Sequence, residues 1–280
     1  VTTCQIICGD APTRPIMRYH GGKWMLAPWI ISQFPPHKNY VEPFGGAASV
    51  LLRKPRSFSE VYNDLDGEIV QVFRVARNRG AELVRALELT PFAREEFEKA
   101  YGETDDELEA SRRTIVRSFM GFGGDGVHST HKTGFRGRSQ RSGSTPAHDW
   151  ANLSEAFKAI VDRLQGVVIE HRPALDVIAQ YDLPETLFYV DPPYVHSTRT
   201  RVDHARGYRC EMSDEDHREL SRALNRTKNA VVLSGYHCAL YDEIYTGWEC
   251  IEKTGPFADG ARERTEVLWF RNIQPDLFKR

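Results

Sequence analysis

Short apolar runs rich in β-branched and aromatic residues alternate with helical periods at both ends of the chain, and the alternation stops between about residues 80 and 165. Before the break stand "NYVEPF" (39–44), which leads through a glycine turn into "GGAASVLLRK", and "FSEVYNDLD" (58–66), which leads into the amphipathic "GEIVQVFRVARN". After it come "GVVIEHR" (166–172), "LFYVDPPY" (187–194), "NAVVLSGY" (229–236), "WECIEK" and "TEVLWFRN" (265–272). The helical stretches "ALDVIAQY" and "DEDHRELSRALNR" separate several of these, and Ser213 with Asp216 offers the second a capping box. Strands alternating with helices imply a doubly wound α/β domain with its functional residues at the carboxyl ends of the strands. Residues 80–165 read as helices around a Gly- and Arg-rich loop, a helical insertion between the second and third strands. Residues 1–16 read as a weakly structured leader, which leaves 17–79 and 166–280 for the main domain.

With 280 residues, 40% of them hydrophobic and 27% charged, the chain has room for one large domain with an insertion, or for two small ones. No window approaches eighteen uninterrupted apolar residues, so no membrane span is expected, and the N-terminal apolar patch lacks the basic region of a signal peptide. The five cysteines form no C-x-x-C pair and no metal-ligand spacing with histidines, which points to reduced thiols, a cytoplasmic setting and no metal. A net charge of −2 does not announce a polyanionic partner, so any such partner must be met by local clusters.

Four strand-end elements carry the candidate chemistry. In "VEPFGGAASV", Glu42 ends a strand and Gly45 and Gly46 allow another group close to the backbone ahead of a helix N-terminus. Taken alone, such a turn is equally a tight connection. In "VYNDLD", Asp64 is placed to accept hydrogen bonds from a ribose, or is a plain surface carboxylate, while Asp66 suits the cap of the next helix. In "RYHGGKW", Gly21 and Gly22 position Lys23 above the sheet; the bland alternative is a solvated lysine. In "LFYVDPPY", Asp191 emerges at the carboxyl edge, and Pro192 and Pro193 stiffen the turn and remove two N–H donors. Tyr194 adds an aromatic face, so the turn becomes a rigid group of acceptors beside a stacking platform, suited to a substrate amine.

In this order, "YHGGK", "VEPFGGAASV", "NDLD" and "DPPY" resemble the DNA adenine N6 methyltransferases of the α group, the Dam-like D12 class, over about residues 17–272. The resemblance implies a Rossmann-like S-adenosylmethionine-dependent methyltransferase sheet with a target-recognition insertion at 80–165. It implies Tyr19, Gly22 and Lys23 at the methionine end of the cofactor, and Glu42, Phe44, Gly45 and Gly46 around the turn beneath it. Asp64 would take the ribose, Glu170 would line the adenine pocket, and Asp191, Pro192, Pro193 and Tyr194 would form the catalytic motif, with Asp191 also facing the cofactor. It further implies methyl transfer by direct in-line attack of a flipped-out adenine, without a metal, in a bacterial cell or phage-infected host. One departure is Tyr19, where some relatives carry tryptophan.

The partner so implied is double-stranded DNA. In "GFGGDGVHSTHKTGFRGRSQRSGS" (121–144), Lys132, Arg136, Arg138 and Arg141 stand against a single Asp125, and Gln140 or an arginine is placed to reach base edges. A second basic stretch, 196–209, follows the catalytic turn with Arg199 and Arg201, and Arg262 and Arg264 precede the last strand. The expected assembly is a monomer or weak dimer. The alternatives are a methyltransferase acting on protein amides, RNA bases or cytosine, and a catalytically silent DNA-binding scaffold.

Overall fold

The chain reverses direction across its sheet between the first and fourth strands, and that reversal sets where a ligand can lie. The computed structural model describes residues 11–123, 125–128, 132–137, 144–199, 208–255 and 263–273. Among them, strands β1 (Asn39–Glu42), β2 (Ser59–Asn63), β3 (Val167–Glu170), β4 (Thr186–Val190), β5 (Ala230–Gly235), β6 (Glu249–Gly255) and β7 (Arg264–Arg271) form one sheet. Its order is β3-β2-β1-β4-β5-β7-β6. The first five strands run parallel, and β7 pairs antiparallel with both β5 and β6. The chain steps outward from β1 to β3 and returns to lay β4 on the other side of β1, with Val41 opposite Phe188. In open α/β sheets the crevice beyond the carboxyl ends at such a switch point is the ligand site.

Period-two alternation sorts the strand residues into two cores. Tyr40, Tyr62, Leu187, Tyr189, Val232, Leu268 and Phe270 face one side. Val41, Val61, Phe188, Val190, Val231, Leu233, Val267 and Trp269 face the other. Helices α1 (Ala27–Ile31), α2 (Ser49–Arg53) and α3 (Gly67–Asn78) bury residues in the first core. So do α4 (Gly80–Glu88), α5 (Arg94–Lys99), α6 (Glu107–Met120), α7 (Asp125–His128), α8 (Pro146–Ala151) and α9 (Leu153–Leu164), which connect β2 to β3. These helices contribute no strand to the sheet among the described residues, and their core is continuous with its first face. Helices α10 (Ala174–Gln180), α11 (Asp214–Arg226) and α12 (Ala239–Ile244) cover the second face. Ser213 and Asp216 close the expected capping box on α11.

Some boundaries depart from the sequence reading. The stretch after the first glycine turn is helical only over Ser49–Arg53, because Ala48 adopts a left-handed conformation at φ 51°. The stretch "WANLSEAFKAIVDRL" (150–164), which reads as one helix in sequence, breaks at Asn152 between α8 and α9. Of the expected leader, residues 1–10 lie outside the described residues, while Ile16 is fully buried and Arg14 donates to the Asp149 carbonyl at 2.8 Å. Packed chain therefore begins ahead of Met17. No helix among the described residues is long and apolar enough to cross a membrane.

At the amino end of the strands, a buried ion cluster ties β2 to its flanking helices. Glu60 accepts from Arg163 at 2.6 Å and from Lys54 at 2.7 Å, and Arg163 also donates to the Leu51 carbonyl. Burial lowers the Lys54 pKa, and the two cations outweigh burial to hold the Glu60 carboxyl below its ordinary value. Removing the anion would leave two like charges buried side by side. Glu60→Gln is therefore expected to lower the unfolding free energy by about 3–5 kcal/mol, read from urea denaturation against the parent chain.

Candidate active site

The turn after β1 depends on having no side chain at Gly45. A Cβ there would lie 2.1 Å from the Tyr62 ring, and one at Gly46, held at φ 47°, would lie 3.0 Å from the Tyr19 ring. Tyr62 in turn donates its hydroxyl to the Gly46 carbonyl at 2.7 Å. Asp64 ties the turn from the next strand, accepting from Gly46 N–H at 2.7 Å with one oxygen and from Asp66 N–H at 2.8 Å with the other. Burial raises its pKa and these N–H donors oppose the rise. Asp66 caps α3 through Glu68 N–H and receives Arg209 at 2.8 Å on the same oxygen, while its buried Oδ2 has no partner among the described residues.

Asp191 follows β4 on the far side of the switch point. Lys23 reaches its Oδ2 at 2.9 Å and the Gly21 carbonyl at 2.8 Å. The other oxygen, Oδ1, is buried and without a partner among the described residues. Burial pushes the Asp191 carboxyl up to about 6, against the pull of Lys23. For Lys23 burial acts against the charge, but Asp191 and Glu266 outweigh it and hold the ammonium above its ordinary value. Tyr194 is buried, donates its hydroxyl to Glu266, and has the Lys23 ammonium 4.7 Å from its ring centre. Tyr236 meets the same ring edge-on at 4.6 Å.

One cavity gathers most of the residues singled out from sequence: Tyr19, Gly22, Lys23, Glu42, Phe44, Gly45, Gly46, Asp64, Asp191 and Pro193. A second opens behind the catalytic turn and is lined by Tyr194, Tyr236 and Arg264; the two share His20 and Tyr208 as a common wall. Pro192 is buried within the turn. Glu170 does not line the first cavity: it ends β3, which β2 separates from β1 and the switch-point crevice, and accepts from the Tyr181 hydroxyl at 2.7 Å.

The basic residues divide sharply. Arg199 turns inward: its side chain is 6% exposed, donates twice to the Tyr194 carbonyl, pairs with Glu211 at 2.7 Å and lines the second cavity. Arg136 is buried, and Lys132 is exposed with its ammonium 5.4 Å from the Tyr101 ring centre. Arg138, Gln140, Arg141, Arg201 and Arg262 lie outside the described residues.

Sequence reasoning missed Glu266, Ser234 and the residues from Cys210 to Met212, which line the first cavity together with Tyr208 and Arg209 from the end of the basic stretch 196–209. A signal for Glu266 exists. In "RTEVLWF" it falls on the same side of the strand as Leu268 and Phe270, an acid at an inward position.

Glu42 is the most perturbed carboxyl of the cavity: burial pushes it up to about 8, the Tyr40 hydroxyl at 3.2 Å opposes the rise, and Asp191 adds to it. It is protonated in the folded chain at neutral pH but ionised when unfolded, so its burial costs stability increasingly as pH rises from the ordinary carboxyl range to about 8. Glu42→Gln removes that cost. Its melting temperature is expected to exceed the parent's at pH 8, with the gap narrowing toward pH 5 in parallel thermal melts.

Among curated proteins no sequence matches the chain. The family model for D12 class N6 adenine-specific DNA methyltransferases matches residues 19–255, from the tyrosine ahead of Lys23 through the helical insertion and the catalytic turn to the end of β6. A glycine turn, a lysine-paired acid before two prolines, and six of the seven strands of the sheet thus lie in one matched span, and the chain belongs to the D12 class of N6 adenine-specific DNA methyltransferases.

Proposed function

We propose that the chain methylates N6 of an adenine swung out of duplex DNA, with S-adenosylmethionine as methyl donor and direct in-line displacement as the chemistry. The observation that carries this reading is Asp191: one oxygen is committed to Lys23, and the other is a buried acceptor with no partner among the described residues. A buried unpaired acceptor is costly unless a ligand donor meets it. An exocyclic amine supplies that donor.

The first cavity suits the cofactor. The glycine at 45 lets Tyr62 pack directly beneath the turn, and Gly45 and Gly46 line the cavity with bare backbone. Asp64 and the open Oδ2 of Asp66 are placed for ribose hydroxyls, and Tyr19, Gly22, Lys23, Glu42 and Phe44 surround the remainder. S-adenosylmethionine, when bound there, supplies a methyl group on a sulfonium, open to attack from the opposite side by the adenine nitrogen. The second cavity, walled by Tyr194 and Tyr236, suits the adenine ring, which must leave its stack because N6 is paired inside the duplex.

The N6 lone pair is delocalised into the ring. Accepting its N–H at Asp191 Oδ1 and at the Pro192 carbonyl favours a more pyramidal nitrogen and stabilises the positive charge that develops during transfer. Asp191 Oδ1 then takes the proton that the methylated nitrogen releases. The insertion at 80–165 is the target-recognition element in this reading, with Lys132, Arg138 and Arg141 for phosphate or base edges, and Arg201 of the stretch 196–209 adds to them.

The test follows labelled methyl transfer to DNA, RNA and protein and maps the methylated position. Label in duplex adenine supports the reading, and label in protein alone refutes it. Asp191→Asn is expected to lower kcat at least about a hundredfold while DNA binding by gel shift persists. Since Asp191 accepts fully only when ionised, kcat/KM is expected to fall as pH drops through about 6.

A further inference from the structure

Glu266 stands among apolar neighbours and is 3% exposed, on the antiparallel strand β7. Because β7 runs opposite to the parallel strands, its first residues reach the carboxyl end of the sheet, where the site lies. There a single oxygen, Oε1, accepts the Tyr194 hydroxyl, accepts Ser234 Oγ at 3.3 Å and lies 3.7 Å from the Lys23 ammonium. That ammonium is also 2.9 Å from Asp191. One buried cation is thus shared by two carboxylates.

We propose that Glu266 is a positioning residue for methyl transfer, pinning Tyr194 by its hydroxyl and sharing Lys23 with Asp191 so that the cluster facing the incoming amine keeps a net negative charge. The proposal rests on reading Asp191 as the acceptor of that amine. Its first half follows from how Tyr194 is held. The backbone end of the residue is fixed by the two prolines and by Arg199 on its carbonyl, and the far end of the ring is held through its hydroxyl by Glu266. A ring held at both ends, with Tyr236 against its side, cannot swing when a base enters the second cavity.

The second half follows from charge. The groups facing Asp191 are Lys23, Glu42 from β1, Tyr189 from β4, and Tyr194, Tyr208 and Glu266. At neutral pH the tyrosines and Glu42 are neutral, which leaves one ammonium against two carboxylates. Without Glu266 the ammonium would pair with Asp191 alone and cancel the charge that the developing cation on N6 requires.

Glu266→Gln keeps the shape of the side chain and removes its charge. The protein is labelled at its aspartate carboxyls, and the Asp191 signal is titrated by carbon-13 NMR in the free parent and variant chains. Steady-state kcat and KM are measured in parallel with duplex DNA and S-adenosylmethionine. The Asp191 midpoint is expected to move to lower pH in the variant, because a negative neighbour that opposed its ionisation is gone. A roughly tenfold fall in kcat is expected with less than about a twofold change in KM for the cofactor, the split of a group acting on the transition state. An unmoved midpoint or an unchanged kcat overturns the proposal. If the parent methylates no adenine, the functional reading fails while the titration still judges Glu266. Should Glu266→Gln not fold, Tyr194→Phe removes the anchoring hydroxyl and leaves both carboxylates; kcat is expected to fall severalfold, and an unchanged kcat again overturns the proposal.

Discussion

Lys23 and Asp191 meet at 2.9 Å across the carboxyl end of the sheet, and much of the site follows from that contact. An ammonium that is 5% exposed must have partners, and its partners come from β4 and β7. The segment ahead of α1 is therefore drawn over the switch point between β1 and β4. Once there, it lays Tyr19 against Gly46 and stacks Tyr19 and His20 on Tyr208, so the same few residues wall both cavities. A single buried pair thus converts an open crevice between strands into two adjoining compartments.

The wall has a second support from the far side. Arg209 reaches Asp66 at the N-terminus of α3, Glu68 one turn within it, and the carbonyl of Val127 on α7. Arg117 on α6 pairs with Glu68 as well. The cofactor-side loop and the helical insertion are tied to one helix end, where carboxylates also offset the helix dipole. Displacing the insertion would disturb Asp66, which lines the first cavity.

Strand ends were readable in sequence because they depend on local patterns: an apolar run closing on Glu42, on Asp64 or on Asp191, each beside turn residues. All of the candidate cofactor and catalytic residues so marked except Glu170 line the first cavity or are buried at the turn after β4. Glu170 carried the same local signature, but β2 separates its strand from β1 and the switch point, and strand order is a long-range property. Arg199 shows the same limit of local reading. Its neighbours in sequence are basic, yet its guanidinium folds inward onto Tyr194 and Glu211. Glu266 stayed hidden because its importance arises from β7 running antiparallel, which no short pattern announces.

The two ends of the sheet show why ligands belong at one of them. At the amino end, Glu60 has Lys54 and Arg163 on it, and Lys54 also sits 4.4 Å from the Tyr40 ring centre, so the anion's demand is met from within the chain. At the carboxyl end, Asp191 Oδ1 and Asp66 Oδ2 are buried acceptors without partners among the described residues, and Glu42, which accepts the Tyr40 hydroxyl, is driven toward its neutral form by burial. Both ends bury carboxylates, and both use residues on the same face of β1 and β2. What separates them is supply: cations and donors outnumber anions below, and acceptors outnumber donors above. A ligand with N–H and hydroxyl donors and a positive centre corrects the upper imbalance, whereas the Glu60 carboxylate below is already met from within the chain.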